Sequence, residues 1–264
     1  MEVIIHATAV DVARRAADLC CDALAKNPAL VLGLATGSTP LALYAELIAR
    51  HRENRVSFAR AASFNLDEYV GLPPEHAQSY RHYMNAHFFE HIDIDRARTH
   101  VPDGMRENPM EAGPAYEAAI QAAGGIDLQI LGIGANGHIG FNEPTSALQS
   151  RTRVKTLAEK TVQDNSRFFA PGEFQPRLAI TMGIGTILEA RRIILLATGE
   201  AKADAVAAMV EGPVSAMCPA SALQFHPRVT VICDESAAAR LRMREYYRFV
   251  LAQQDALTHR FGRP

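Results

Sequence analysis

The chain has 264 residues, 48% of them hydrophobic, which suffices for a sizeable buried core and argues against disorder. A formal net charge of −2 excludes a general basic field for nucleic acid or an acidic membrane, so an anionic ligand must be caught by a few local cations. The cysteines Cys20, Cys21, Cys218 and Cys233 form no C-x-x-C, and the vicinal pair cannot readily bridge, so buried cytosolic thiols are expected rather than disulfides or a metal cluster.

The N-terminal M-E-V-I-I-H-A has no basic leader and reads as a first strand over Val3–Ile5, so a cytoplasmic location is expected. No apolar run approaches the roughly 18 residues of a membrane span. Thr8 followed by Asp11 is a variant capping box, opening a helix that carries Ala13, Ala16, Ala17, Cys20 and Leu24 on one face. Leu30–Leu34 is a wholly apolar strand, the pattern of a parallel sheet covered on both sides. T36-G-S-T-P40 leads into a helix over Leu41–Arg52. Ala61–Phe64 is a third strand, and N65-L-D-E-Y-V-G-L-P-P74 reads as a loop. A helix follows from Ser79 to about His91, and another near Tyr116–Ala123. Later strands are expected at Ile126–Leu131, Arg151–Thr156, Leu178–Met182, Ile193–Ala197 and Val229–Cys233, then a helix from Ser236 to about Gln254. Alternating strands and helices, with no repeat and no linker, predict a single α/β domain over residues 1–264 with a largely parallel sheet.

The segment L131-G-I-G-A-N-G-H-I-G-F-N-E-P144 contains G-x-G-x-x-G after a strand, the letters of a dinucleotide fingerprint. That fingerprint needs a helix opening at its glycines, and Gly140 and Pro144 oppose one. It also needs an acid at the end of the next strand, where R151-T-R-V-K-T-L supplies none. The segment is better read as an irregular loop at the carboxyl edge of the sheet, with Asn136, His138 and Glu143 close together. An imidazole beside a carboxylate suits acid–base work near neutral pH, and an incidental surface histidine is the competing reading.

Other strand ends carry polar groups. Asp67 and Glu68 follow the third strand; a partly desolvated carboxylate there could act as a base, and an extended backbone turns only one of the two toward a site. Gly37, Ser38 and Thr39 precede a helix and could cradle a phosphate, although no G-K-[ST] of a Walker loop follows. Lys202, in T198-G-E-A-K202, could reach the same anion. Arg167, in N165-S-R-F-F169, is either a phosphate ligand or a snorkelled surface cation. Arg151, Arg153 and Lys155 alternate on one strand, as a solvated face or an anion site.

Taken together, F64-N-L-D-E-Y-V-G-L-P73, the loop Leu131–Pro144, S150-R-T-R-V-K-T156, N165-S-R-F-F169 and V229-T-V-I-C-D-E235 resemble the glucosamine-6-phosphate deaminase family nearly end to end. The resemblance implies a Rossmann-like three-layer fold and conversion of glucosamine 6-phosphate and water to fructose 6-phosphate and ammonia, in amino-sugar catabolism, without metal or cofactor. It implies Asp67 as the enolising base and His138 as the ring-opening group, assisted by Glu143 and Asn136. It assigns the substrate phosphate to Arg167 and Lys202 with Gly37, Ser38 and Thr39. Some members carry Asp where this chain has Asn136, which would leave His138 more dependent on Glu143. Some members are hexamers activated by N-acetylglucosamine 6-phosphate, so a homo-oligomer is compatible with the resemblance. The serines of that activator site are represented by Ser146 but not at Ala147, and the sequence ending at Pro264 is unfamiliar, so weak or absent activation is expected although Arg153 and Lys155 remain. A sugar-phosphate lactonase of the same superfamily and a non-catalytic amino-sugar-phosphate sensor are the competing functions.

Overall fold

The computed structural model describes residues 1–157, 159, 162, 169, 170 and 172–261, with side chains through residue 254. Arg167 falls outside the described residues. Seven strands form a parallel sheet: β1 (Glu2–His6), β2 (Val31–Leu34), β3 (Ala62–Asn65), β5 (Thr99–His100), β6 (Leu128–Leu131), β9 (Arg192–Ala197) and β10 (Val229–Asp234), in the spatial order β1-β10-β9-β6-β2-β3-β5. Helices cover both faces, and for that reason β2 and the interior of β9 are apolar rather than alternating, while β6 carries the buried Gln129. Ile194 and Leu196 face one core with Val12, Ala16, Cys20, Leu43, Tyr44 and Leu47 from α1 (Ala9–Lys26) and α2 (Ser38–Arg52). Ile193 and Leu195 face the other, with Tyr116 and Ile120 from α4 (Pro109–Ala122), Ile187 from the short α5 (Ile184–Leu188), and Val206 and Met209 from α6 (Ala203–Glu211).

Several expected boundaries move, each for a local reason. The capping box at Thr8 forms: its hydroxyl accepts from Asp11 N at 3.2 Å and donates to Asp11 Oδ2 at 2.6 Å. α2 starts at Ser38, three residues early, because Gly37 at φ +103° turns the chain directly into the helix. α4 starts at Pro109, not near Tyr116; Asn108 caps it by accepting from Met110 N, and Pro109 fits the first helical position, where no amide donor is needed. α3 (Tyr80–His87) stops before a 3-10 turn at Phe89–His91. The last helix, α7, spans Arg244–Phe261 and does not begin at Ser236. Residues 236–242 instead make turns, with Asp234 accepting from Ala237 N at 2.8 Å.

The larger correction concerns the segment 65–74, expected as loop. Asp67–Tyr69 is a strand, β4, paired antiparallel with β8 (Leu178–Thr181), which pairs in turn with β7 (Arg153–Thr156). The expected strands near 153 and 178 therefore build a separate three-stranded antiparallel sheet rather than extending the parallel one. This small sheet stands at the carboxyl edge of β3 and carries Asp67.

β2 and β6 are neighbours at the centre of the parallel sheet. From β2 the chain runs through α2 to β3 on one side; from β6 it leads eventually to β9 on the other. The loops leaving their carboxyl ends diverge, and such a switch point opens a crevice where ligands bind.

Candidate active site

A cleft of about 290 Å³ opens at this switch point. It is lined by Thr36, Gly37, Ser38 and Thr39 after β2, by Asp67 on β4, by Tyr80 on α3, by Gly132, Gly134, His138 and Gly140 after β6, and by Lys202. That volume is at the lower end for a small-molecule site. A larger, open groove of about 430 Å³ along α3, lined by Glu75, Arg81, His82, Asn85 and Glu90, lacks any of the expected site residues.

Asp67 is 5% exposed, and its carboxyl turns to the cleft. Burial, and secondarily the neighbouring Glu68, push its pKa up to about 8. Glu68 points the opposite way along the pleat, as two successive strand residues must. Its carboxylate accepts from Tyr69 N at 2.8 Å and from Tyr80 N and Arg81 N at 3.0 Å each, across the N-terminus of α3. Burial raises Glu68 as well, and the three amides oppose that rise. The three amides favour the ionised form of Glu68, whereas Asp67, without an amide donor among the described residues, holds its proton into the neutral range.

The loop after β6 contains no helix at its glycines: only turns and a bridge between Ile139 and Asn142 follow. The glycines make room for side chains. A Cβ on Gly134 would lie 2.3 to 2.5 Å from three atoms of the His138 ring. Gly140, at φ +56°, would place one 2.9 Å from Thr181 Oγ1 and 3.4 Å from Asp67 Oδ2, so the histidine loop abuts the Asp67 strand closely.

Glu143 Oε1 is 3.1 Å from His138 Nδ1. The contact does not form a well-aligned hydrogen bond at Nδ1; it is a close approach that becomes an ion pair when the imidazole is protonated. Asn136 Nδ2 donates to Glu143 Oε2 at 2.6 Å, while Asn136 Oδ1 accepts from His138 N at 3.3 Å. His138 and Asn136 hold Glu143 below the usual carboxylate range, against its partial burial. The asparagine thus supplies a donor to the carboxylate, where an aspartate would have to share a proton with it.

Opposite these groups, the N-terminus of α2 is open. Gly37 makes no side-chain cap, and the first turn contains no acid. Lys202 caps α6, half-buried; burial lowers its pKa, and among the described residues no carboxylate pairs with it. An uncompensated, desolvated ammonium beside a free helix N-terminus is a site for an anion. Asp234 fixes the turn that carries Lys202, accepting from Gly199 N at 3.1 Å on each oxygen. This gives the V229-T-V-I-C-D-E235 segment a structural role at the site.

Of the sequence-predicted residues, Gly37, Ser38, Thr39, Asp67, His138 and Lys202 line one cleft, and Asn136 and Glu143 stand behind His138. On the basic segment Arg151 pairs with Glu117 and Glu189, and Arg153 donates to Asn142 Oδ1 at 2.9 Å. Sequence reasoning missed Tyr80, whose hydroxyl lies 3.2 Å from that of Tyr69 at the cleft wall. It also missed Asn142, fully buried, which straps the histidine loop to the end of β8 by donating to Ile139 O and Met182 O. The N-E pair in F-N-E-P was the available signal for Asn142; Tyr80 had none.

The fold is that of an α/β protein whose cleft, at the switch point of its sheet, brings together a carboxyl, an imidazole and an ammonium. The profile of the family of glucosamine-6-phosphate isomerases and 6-phosphogluconolactonases matches residues 5–232, and the chain belongs to that family. It is 60% identical over 253 residues to a glucosamine-6-phosphate deaminase of Hahella chejuensis, covering 96% of this chain and 97% of that one. It is 58% identical over 262 residues to a glucosamine-6-phosphate deaminase of Cellvibrio japonicus, covering 99% and 100%. Among solved structures, a monomeric glucosamine-6-phosphate deaminase superposes with a TM-score of 0.87 at 44% identity, covering 91% of this chain and all of that one.

Proposed function

We propose that this chain is a glucosamine-6-phosphate deaminase, converting glucosamine 6-phosphate and water to fructose 6-phosphate and ammonia. The observation that carries the reading is the meeting, in one cleft, of a buried carboxyl raised to about 8, an imidazole backed by a carboxylate, and a lysine with no carboxylate partner among the described residues. Full-length identity to two proteins bearing that name supports it.

The substrate phosphate binds at Gly37, Ser38, Thr39 and Lys202, with Arg167 added from the sequence resemblance. His138 then moves the proton from O1 of the pyranose to O5, opening the ring. Glu143 stabilises the transient imidazolium, and Asn136 keeps Glu143 in place. The open chain exposes an aldehyde at C1 beside the C2 amine. Asp67, deprotonated, takes the C2 proton, giving an enolamine, and returns it to C1. The C2–N bond is now an imine, which water hydrolyses, releasing ammonia and leaving the ketone of fructose 6-phosphate. The steps balance: O1 gains the proton that the amine loses as the imine forms, and the heavy-atom bonds broken, C1–O5 and C2–N, are replaced by carbonyl bonds at C1 and then C2. A general base near 8 serves this work at neutral to mildly alkaline pH better than an ordinary carboxylate near 4.

Among the described residues no helix is long and apolar enough to cross a membrane, and we place the enzyme in the cytoplasm, acting on a small sugar phosphate in amino-sugar catabolism. Ammonia release from glucosamine 6-phosphate, compared with acid release from 6-phosphogluconolactone, tests the reading. Turnover of the amino sugar alone is expected; turnover of the lactone alone would assign the chain to the other activity of its family.

A further inference from the structure

One distant stretch of chain, residues 215–221, holds the histidine loop on either side of the segment from His138 to Glu143. Ala220 N donates to Gly137 O at 2.9 Å, immediately before His138. Thr145 N donates to Ala216 O at 2.8 Å, two residues after Glu143. Gly137 sits at φ +82° with the Cys218 side chain packed against it so closely that a Cβ there would be 2.6 Å from Sγ. Thr145 is held at φ +76°, a conformation costly for a β-branched residue, which persists only where surrounding bonds impose it.

The gripping stretch is itself closed by one hydroxyl. Ser221 is fully buried, and its Oγ accepts from Ser215 N at 2.8 Å and donates to Ser215 O at 3.1 Å. Ser221 N donates to Cys218 O at 2.8 Å, and Cys218 N to Ser215 O at 3.0 Å, so 215–221 forms a compact double turn. Ser215 Oγ adds a bond from Met217 N at 3.1 Å at its tip. The turn also continues from α6, the helix that Lys202 opens.

We infer that Ser221 is a positioning residue for the His138–Glu143 pair: by closing the 215–221 turn, it fixes two of the points that hold the histidine loop, a third being the strap of Asn142 to the end of β8. The inference rests on the proposed ring-opening role of His138. Ser221 touches no substrate. Its hydroxyl sets the backbone at Gly137 and Thr145, and the geometry of the ring-opening pair follows from those two anchors. Misplacement of a reacting group by about 1 Å costs up to about 100-fold in rate. Losing the hydroxyl should therefore slow ring opening and leave the phosphate grip of α2 and Lys202 as it is.

The test compares wild type, Ser221→Ala and Ser221→Cys in two measurements. The first is kcat for ammonia release from glucosamine 6-phosphate. The second is the Kd and stoichiometry of 2-amino-2-deoxyglucitol 6-phosphate, the reduced open-chain form, which has no ring to open. The stoichiometry counts folded sites, so a loss of folded protein is separated from a slower site. For Ser221→Ala, kcat per site is expected to fall about 10- to 100-fold with the alditol Kd within about twofold of wild type. Ser221→Cys, which keeps a weaker donor and acceptor at the same place, is expected to lose several-fold in the same pattern, and it decides the matter if Ser221→Ala does not fold. Unchanged kcat per site in the folded variants would overturn the inference, as would an alditol Kd that weakens as much as kcat falls. Failure of wild type itself to release ammonia would instead remove the functional reading, and the inference with it.

Discussion

Replacing Asp67 by asparagine should abolish activity and, at alkaline pH, stabilise the protein. The folded chain holds this carboxyl at about 8, against 3.8 in the open, because burial and the charge on Glu68 disfavour its ionised form. Below about pH 4 the group is protonated whether the chain is folded or not, and the burial costs no proton. As pH rises, the unfolded chain releases its proton while the folded chain keeps it, so stability falls by about 1.4 kcal/mol per pH unit until about pH 8. The accumulated loss at pH 8 is on the order of 5 kcal/mol, and asparagine, which never titrates, escapes it. For a chain of this length that corresponds to a rise in Tm on the order of 10 °C. Thermal unfolding of wild type and Asp67→Asn from pH 5 to pH 8.5 checks this: the two Tm curves should diverge steadily with pH, the variant above. Parallel curves would refute the argument that Asp67 is protonated in the free protein. The same titration governs catalysis. The kcat/KM of wild type should climb with pH along an acid limb whose midpoint lies near 8, since the free enzyme must lose this proton to act as base.

The remaining predictions concern the groups around Asp67. Lys202→Ala, which removes an unpaired half-buried cation, should raise KM about 10- to 100-fold with a smaller change in kcat, measured by initial rates of ammonia release. Gly134→Ala puts a methyl within 2.5 Å of the His138 ring; it should lower kcat about 100-fold while circular dichroism shows the fold retained. Asn136→Asp replaces the N–H that donates to Glu143 at 2.6 Å by a second carboxylate, so the two must share a proton. Its pH–rate profile should gain a titration above the ordinary carboxylate range that wild type lacks, and an unchanged profile would show that Asn136 does not govern the charge of Glu143.

How much of this was legible in the sequence varies with the range of the forces involved. Six of the seven parallel strands were readable, helped by apolar runs that burial on both faces demands, as in Leu30–Leu34 and Ile193–Ala197; the two-residue β5 (Thr99–His100), at the sheet edge, was not. Thr8 and Asp11 announced α1 through a bond three residues long. The failure of the glycine motif as a dinucleotide site was also legible, since Gly140 and Pro144 forbid the helix locally. Strand β4 was not readable: N-L-D-E-Y has the composition of a turn, and only pairing with Leu178–Thr181, more than a hundred residues away, makes it a strand. That pairing in turn decides which of Asp67 and Glu68 faces the cleft. The first turns of α4 were hidden by Pro109, whose position at the helix start suits it. The clustering of Asp67, His138 and Lys202 comes from topology, because three separate strand ends meet at the switch point, and the brace by Ser221 depends on hydrogen bonds with no local signature.

The central claim is that Asp67 and His138 together carry an isomerising deamination, and it is tested most directly by incubating glucosamine 6-phosphate with wild type, Asp67→Asn and His138→Gln and measuring ammonia and fructose 6-phosphate. The account predicts the two products in equal amounts from wild type, and rates lowered by at least about 100-fold in each variant. Undiminished ammonia release by Asp67→Asn, or ammonia formed without fructose 6-phosphate, would contradict it.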